Sequence, residues 1–149
     1  MEISCPHCSQ RNRVPAERLA DGPTCGRCRR PLLDAPIAAG AGLLAELQGQ
    51  SRLPVLVDFW APWCGPCVGF APTFAAAAGR YAGQVVFVKV DTEAEPELAQ
   101  RHRIRAIPTL AWFSGGREAG RLSGALPPAE LDRVIRQILA VGSAGRPAA

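Results

Sequence analysis

The chain has 149 residues and a formal net charge of +4, a length suited to one ordinary domain with a small additional module. Apolar residues make up 48%, which excludes a disordered chain, and every apolar run is far shorter than the roughly 20 residues needed to cross a bilayer. The first residues lack the basic and apolar regions of a secretory signal. We therefore expect a cytoplasmic protein that keeps its thiols reduced and does not bind membranes.

Residues 1–33 are rich in cysteine, proline, glycine and arginine and show no apolar periodicity. A segment this short usually needs a metal ion or disulfides to hold a fold. Its four cysteines form two CxxC pairs, Cys5/Cys8 and Cys25/Cys28, with 16 residues between the pairs. This spacing predicts a zinc-ribbon domain in which four thiolates bind one structural Zn²⁺, because four protein ligands leave no open position for water. No organic cofactor is expected.

Other interpretations of the N-terminal cysteines stay open. They could form two disulfides, or His7, which lies between two of them, could replace one sulfur as a ligand. Oxidants could also expel the metal and oxidise the thiols, which would make the segment a zinc-coupled redox sensor.

The same segment carries six arginines against three acidic residues. Clustered arginines are typical of nucleic-acid-binding proteins. Four thiolates around one Zn²⁺ add a net charge of about −2, however, and leave the segment near +1. The charge therefore argues against a nucleic-acid partner, and a docking or nucleic-acid-binding adaptor is the alternative function.

From residue 34 onward the sequence changes to long apolar runs separated by turn signals. In chain order these predict a strand at 33–37, a helix at 43–48, a strand at 54–60, a helix at 64–81, a strand at 84–90, a helix at 94–102, a hairpin of strands at 109–113 and 117–122, and a helix at 128–140. Strands that alternate with helices and end in a hairpin indicate an α/β domain over residues 34–141, with a mixed sheet flanked by helices. We expect residues 142–149 to be a disordered tail.

A third CxxC pair, Cys64 and Cys67, follows the buried strand at 54–60 and begins a helix. Unpaired N–H groups and the positive end of the helix dipole favour a thiolate there. We therefore expect Cys64 to have a lowered pKa and to attack, and Cys67, one turn further in, to resolve the mixed disulfide. The alternative is a pair of zinc ligands or inert core thiols, which the preceding strand and the lack of a second nearby pair disfavour.

The segment from Asp58 to Cys67, DFWAPWCGPC, strongly resembles the active-site signature of the thioredoxin family. Further matches extend the resemblance over roughly residues 35–141. They are Ile107-Pro108-Thr109 for the cis-proline loop, Pro72 for the helix-kinking proline, and Gly116 and Gly124 for glycines of the hairpin and the substrate groove. Together with the N-terminal cysteines, these matches resemble the zinc-containing bacterial members of the family and imply the thioredoxin fold.

The resemblance also implies roles for individual residues. Cys64 would be the nucleophile, Cys67 the resolving thiol and Asp58 the acid that accepts or returns the Cys67 proton. The residues that would shape the site or contact the substrate are Trp60, Trp63, Gly65, Pro66, Ile107, Pro108 and Gly124. Electrons would arrive from NADPH through a thioredoxin reductase, and the substrates would be oxidised proteins such as peroxidases and reductases.

Asp58 lies inside an apolar run, where burial disfavours the charged form and should raise its pKa. Many relatives place a lysine near this acid, and here the matching position is predicted to be Phe87, with Lys89 two residues further on the same face. We predict that Asp58 titrates abnormally high and couples to the cysteines. The alternative is a buried acid satisfied by backbone donors.

The sequence therefore predicts a protein-disulfide reductase that works through a reversible Cys64–Cys67 dithiol/disulfide. An oxidase or isomerase is the competing enzyme class. Those relatives often carry a histidine between the two cysteines, whereas this chain has Gly65-Pro66, which favours a reducing role.

Overall fold

The computed structural model describes the backbone of residues 1–144 and the side chains of residues 1–141. The N-terminal segment begins with a hairpin of two antiparallel strands, β1 (Glu2–Ser4) and β2 (Arg11–Arg13). A 3-10 helix (Ala16–Asp21) follows, and an antiparallel bridge spans the second cysteine turn. Each CxxC pair thus lies in a tight turn between short paired segments.

The rest of the chain forms a five-stranded mixed sheet, as predicted. Its strands are β3 (Ile37–Ala38), β4 (Val55–Trp60), β5 (Val86–Asp91), β6 (Thr109–Ser114) and β7 (Arg117–Ser123). Their order is β3-β5-β4-β6-β7. Strands β3, β5 and β4 run parallel, β6 pairs antiparallel with β4, and β7 pairs antiparallel with β6. The helices are α1 (Ala41–Gln50), α2 (Gly65–Arg80), α3 (Pro96–Arg101) and α4 (Pro128–Ala144).

The two faces of the sheet bury separate apolar clusters, because successive strand residues point to opposite faces. Leu56 and Phe87 belong to the cluster on the side of α2 and α4, whereas Val57 and Val88 belong to the cluster on the side of α1 and α3. Strand β4 is therefore buried on both faces, as its continuous apolar run predicts. Its carboxyl end leads directly into the turn before α2, where the third CxxC pair lies.

The N-terminal segment packs onto the α1 and α3 side of the sheet. Ile3, Leu19 and Leu32 are almost completely buried and belong to the same cluster as Leu47 of α1 and Val88 of β5. The apolar core therefore runs without a break from the cysteine-rich segment into the larger fold.

Two boundaries differ from the prediction by four residues, whereas the others agree within two. The first strand lies at Ile37–Ala38 instead of 33–37, because only these two residues pair with β5 and the preceding Pro36 has no N–H to donate. Helix α4 continues to Ala144 instead of ending at 140, so of the predicted tail only residues 145–149 lie outside the described residues. No helix within residues 1–144 is long and apolar enough to span a membrane.

Candidate active site and zinc site

Cys64 and Cys67 lie at the start of α2 and form a disulfide, with their Cα atoms 5.2 Å apart. Cys64 is the N-cap residue, and its Sγ accepts a hydrogen bond from the backbone N–H of Cys67 at 3.2 Å. Such a bond, at the positive end of the helix dipole, stabilises a thiolate on Cys64 once the disulfide is reduced. Cys64 is 6% exposed and Cys67 is completely buried, so Cys64 is the more accessible of the two residues.

Gly65 and Pro66 form the first turn of α2, where proline costs no helical hydrogen bond. Both residues are exposed, so the side of the disulfide that faces solvent carries no bulky side chain. Trp63 projects further, with 70% of its surface exposed, whereas Trp60 at the end of β4 is half-buried. Trp60 packs against the cluster of Ala61, Cys64 and Cys67, and Trp63 directly precedes Cys64 in the chain.

A second loop lies against the disulfide from the neighbouring strand β6. Its Ile107–Pro108 peptide bond is cis, as the resemblance implies. The carbonyl oxygen of Ile107 is 3.8 Å from Cys64 Sγ. Gly124, at a φ of +104°, donates its backbone N–H to the carbonyl of Pro108 at 2.8 Å. The loop thus places the Ile107 carbonyl beside the Cys64 sulfur, while the Pro108 carbonyl is occupied by Gly124.

Asp58 is completely buried, and neither carboxylate oxygen has a hydrogen-bond partner within the described part of the chain. The alternative of backbone donors is therefore wrong. Burial raises the pKa of Asp58 from 3.8 to about 7, against the opposing charge of Lys89. The predicted direction of the shift is confirmed, and near neutral pH this carboxyl can take up or release a proton.

Lys89, and not Phe87, is the lysine position that faces the buried acid. In the parallel pairing of β4 with β5, Asp58 lies opposite Lys89, and Phe87 lies opposite Leu56. The Lys89 ammonium is 4.1 Å from the centre of the Trp60 ring, a cation–π contact that holds it near the site. The sequence alone does not fix the register of β4 against β5. A shift of two residues along β5 separates the predicted position, Phe87, from the observed one, Lys89.

The four N-terminal cysteines converge on one point. Their sulfurs all lie within 4.8 Å of one another, with Cys5 to Cys28 at 3.7 Å and Cys8 to Cys25 at 3.6 Å. A tetrahedron with Zn–S bonds of about 2.3 Å has S–S edges of about 3.8 Å. All four cysteines are unpaired, so the alternative of two disulfides is not what the structure contains. The donor set and its spacing fit a zinc ion.

Backbone and side-chain groups support these sulfurs from outside. The N–H groups of His7 and Arg27 each point to a sulfur at 3.4 Å, and Asn12 donates to Cys25 Sγ at 3.5 Å while accepting from Gly26 N–H. Such outer contacts orient thiolate ligands.

The His7 ring contacts a carboxylate and is not among the groups that converge with the four sulfurs. Its Nε2 lies 2.8 Å from Oδ1 of Asp34, just beyond the N-terminal segment. The structure therefore does not support His7 as a ligand, and this ring instead joins the ribbon to the rest of the chain.

Thr109 and Ser123 form a contact near the cis-proline loop that the sequence does not predict. Thr109 is 2% exposed, and its hydroxyl bonds both the Ala106 carbonyl and Ser123 Oγ. The signal in the sequence that could have indicated a role for Thr109 is its polar side chain at the start of an otherwise apolar strand, directly after Pro108.

Comparisons with known proteins agree with this geometry. A family model described as Thioredoxin matches residues 44–137, and a model described as Thioredoxin 2, N-terminal matches residues 4–30. The chain is 44% identical to Thioredoxin C-3 of Corynebacterium nephridii, over 93% of this chain and 96% of that protein. It is 35% identical to a chloroplastic M-type thioredoxin of Chlamydomonas reinhardtii, over 88% and 96%.

Solved structures give the same result for the larger part of the chain. The thioredoxin of Malassezia sympodialis superposes with a TM-score of 0.63 at 32% identity, covering 68% of this chain and 89% of that one. A mutant thioredoxin of Halobacterium salinarum superposes with a TM-score of 0.65 at 26% identity, covering 70% and 91%.

Proposed function

Because the chain belongs to the thioredoxin family, we propose that Cys64 and Cys67 perform its chemistry as attacking and resolving thiols. Family membership and the CxxC disulfide identify a protein-disulfide oxidoreductase. The observation that carries the assignment of roles is the position of the two sulfurs, one accepting an N–H at the helix start and the other completely buried.

The proposed reaction balances as two thiol–disulfide exchanges. The Cys64 thiolate attacks one sulfur of a substrate disulfide; that S–S bond breaks, a mixed disulfide forms, and the other substrate sulfur leaves as a thiolate that takes a proton. Cys67 then loses its proton to the Asp58 carboxylate, directly or through water, and attacks Cys64 Sγ. The second substrate sulfur leaves, and two electrons have passed from the Cys64–Cys67 pair to the substrate.

The residues around the disulfide are proposed to position the substrate. Trp60, Trp63, Gly65 and Pro66 border the exposed side, and the loop of Ile107, Pro108 and Gly124 offers backbone groups to an extended segment. Family membership implies a reductase and target proteins as partners in general. We propose specifically an NADPH-dependent thioredoxin reductase, oxidised peroxidases and reductases as targets, and a cytoplasmic location.

The N-terminal cysteines are proposed to bind one structural Zn²⁺ through Cys5, Cys8, Cys25 and Cys28. Bound zinc would neutralise part of the thiolate charge and cross-link the two turns. We accordingly divide the chain into a zinc-ribbon unit of residues 1–33 and a catalytic unit of residues 34–141. Metal analysis of reduced protein should give about one zinc per chain, and a Cys25→Ser variant should retain much less.

Insulin reduction tests the assignment of the two thiols. Cys64→Ser should abolish turnover, because Cys67, the other sulfur at the helix start, is completely buried. Cys67→Ser should instead accumulate a mixed disulfide with insulin, detectable by mass, since nothing resolves it. Full turnover by Cys64→Ser, or no trapped complex with Cys67→Ser, would contradict the proposal.

A further inference from the structure

We propose that Thr109 is a positioning residue that holds the carbonyl of Ile107 beside Cys64 Sγ through a hydroxyl relay from Ser123. This inference rests on the proposed role of Cys64 as the attacking thiol. Thr109 and Asp58 are the two buried polar side chains among the described residues, and only Asp58 has a role in the proposed exchange reaction.

The Thr109 hydroxyl has a single proton, and this fixes the direction of its two hydrogen bonds. The Thr109 hydroxyl is 2.5 Å from the carbonyl oxygen of Ala106 and 3.0 Å from Ser123 Oγ. A carbonyl oxygen only accepts, so Thr109 donates its single proton to Ala106. Ser123 must therefore donate to Thr109. The exposed serine, at the end of the edge strand β7, thus completes a relay that ends on the active-site loop.

The relay acts on a loop that contacts the reactive sulfur. Ala106 directly precedes Ile107, whose carbonyl oxygen is 3.8 Å from Cys64 Sγ. A second bond, from Gly124 N–H to the Pro108 carbonyl, joins the same loop to the chain just after β7. Side-chain and backbone bonds therefore hold the loop on both sides of Ile107. Removing the hydroxyl releases the Ala106 side, while the backbone bond remains.

The chemical consequence concerns the protonation of Cys64. A carbonyl oxygen can accept a hydrogen bond from a thiol, but its partial negative charge repels a thiolate. Holding the Ile107 carbonyl near the sulfur therefore favours the thiol form of Cys64. It offsets part of the stabilisation that the helix start gives to the thiolate. When the loop relaxes, Cys64 should ionise at lower pH and react faster in mildly acidic solution.

The test measures alkylation of Cys64 by iodoacetamide against pH, in the zinc-loaded, reduced, full-length chain, with the modified residue identified by mass spectrometry. Thr109→Val removes the hydroxyl at nearly constant shape, and Thr109→Ser keeps it. Ser51→Ala is the matched control, because Ser51 also donates to a backbone carbonyl, that of Leu53 at 2.8 Å, outside the loop and the site.

We expect Thr109→Val to alkylate about threefold faster than the parent below the pH at which the parent is half ionised. Ser123→Ala should shift the profile less in the same direction, and Thr109→Ser and Ser51→Ala should follow the parent. An unchanged profile in folded Thr109→Val, or an equal shift in Thr109→Ser, would overturn the proposal. If Thr109→Val does not fold, the exposed Ser123→Ala decides by whether its profile shifts.

Turnover of insulin by the parent and its loss in Cys64→Ser are measured separately. A failure of that assay refutes the proposed function, whereas the alkylation profile tests the positioning role whether or not turnover occurs.

Discussion

The burial of Asp58 makes its contribution to the stability of the protein depend on pH. Burial raises its pKa from 3.8 to about 7, so between these pH values the native state keeps a proton that the unfolded chain releases. Stability must therefore fall as pH rises from about 4 to about 7 and stay low above that range. A rise in the pKa of Asp58 from 3.8 to about 7 corresponds to at most about 4 kcal/mol of stability.

Asp58→Asn should accordingly stabilise the protein at neutral and alkaline pH, because the amide carries no charge to bury. We expect the free energy of unfolding at pH 8 to increase by about 2–4 kcal/mol and the gain to shrink towards pH 4. Urea denaturation of the oxidised parent and variant at several pH values measures it. A gain of equal size at pH 4 and pH 8 would contradict the assignment of this titration to Asp58.

Lys89 should limit how far the pKa of Asp58 rises, since its positive charge favours the ionised carboxyl. Replacing it in Lys89→Met should therefore raise the pKa of Asp58 above about 7, and Lys89→Arg should largely preserve it. The Asp58 carboxyl carbon signal, followed by NMR against pH in the oxidised protein, reports the change directly. Identical titrations of parent and Lys89→Met would show that the two groups do not interact.

At the scale of elements, the sequence was most informative where one physical effect dominates. The continuous apolar run of β4 predicts a strand buried on both faces, and the CxxC pair after it predicts a helix start, because these patterns depend on neighbouring residues only. The register between strands depends on residues that are distant in sequence, and local patterns do not predict it. This is why the sequence pointed to Phe87, whereas Lys89 faces Asp58 in the structure. The contact of Thr109 with Ser123 joins two strands and could not be derived from either alone.

Close packing across β6 and β7 gives a second prediction at this scale. Gly120 lies opposite Trp112, and a Cβ at position 120 would be closest to Cζ2 of the indole and 2.6 Å from its Cε2, too close without movement of the ring. Gly120→Ala should therefore destabilise the fold by about 1–3 kcal/mol. Gly69→Ala is the matched control, because Gly69 lies in α2 with open space around it, and alanine there should stabilise by up to about 1 kcal/mol.

Thermal unfolding of both variants measures the difference. Since neither glycine contacts the disulfide sulfurs, insulin turnover at 25 °C should change little in either variant. Equal melting temperatures for the two alanine variants would mean that the indole moves aside freely.

At the scale of the whole molecule, the cysteine-rich segment is part of the core and not an appendage. Two CxxC pairs predict a zinc site from spacing alone, but the spacing says nothing about where the ribbon packs. Ile3, Leu19 and Leu32 are scattered apolar residues in a polar segment, and they become core residues only through contact with the sheet. His7 and Asp34 add a polar contact across the same boundary.

Zinc removal should therefore destabilise the catalytic part of the chain as well as the ribbon. Loss of the ribbon would expose Leu19 and Leu32 and part of the apolar cluster that they share with Leu47 of α1 and Val88 of β5. Burying one leucine contributes about 1.5–3 kcal/mol, so losing both corresponds to a fall in melting temperature of about 6–24 °C. Calorimetry of reduced protein with and without a zinc chelator should show one cooperative transition that moves as a unit.

Leu19→Ala separates packing from metal binding, because it leaves all four ligands in place. It should retain about one zinc per chain and still lower the melting temperature of the whole chain, by an amount consistent with the about 2–5 kcal/mol cost of a buried leucine-to-alanine change. Two separate transitions, with the larger one unmoved by chelation and by Leu19→Ala, would mean that the ribbon and the sheet fold independently. A single transition that shifts in both experiments would instead mean that zinc occupancy sets the stability of the sheet that positions Cys64.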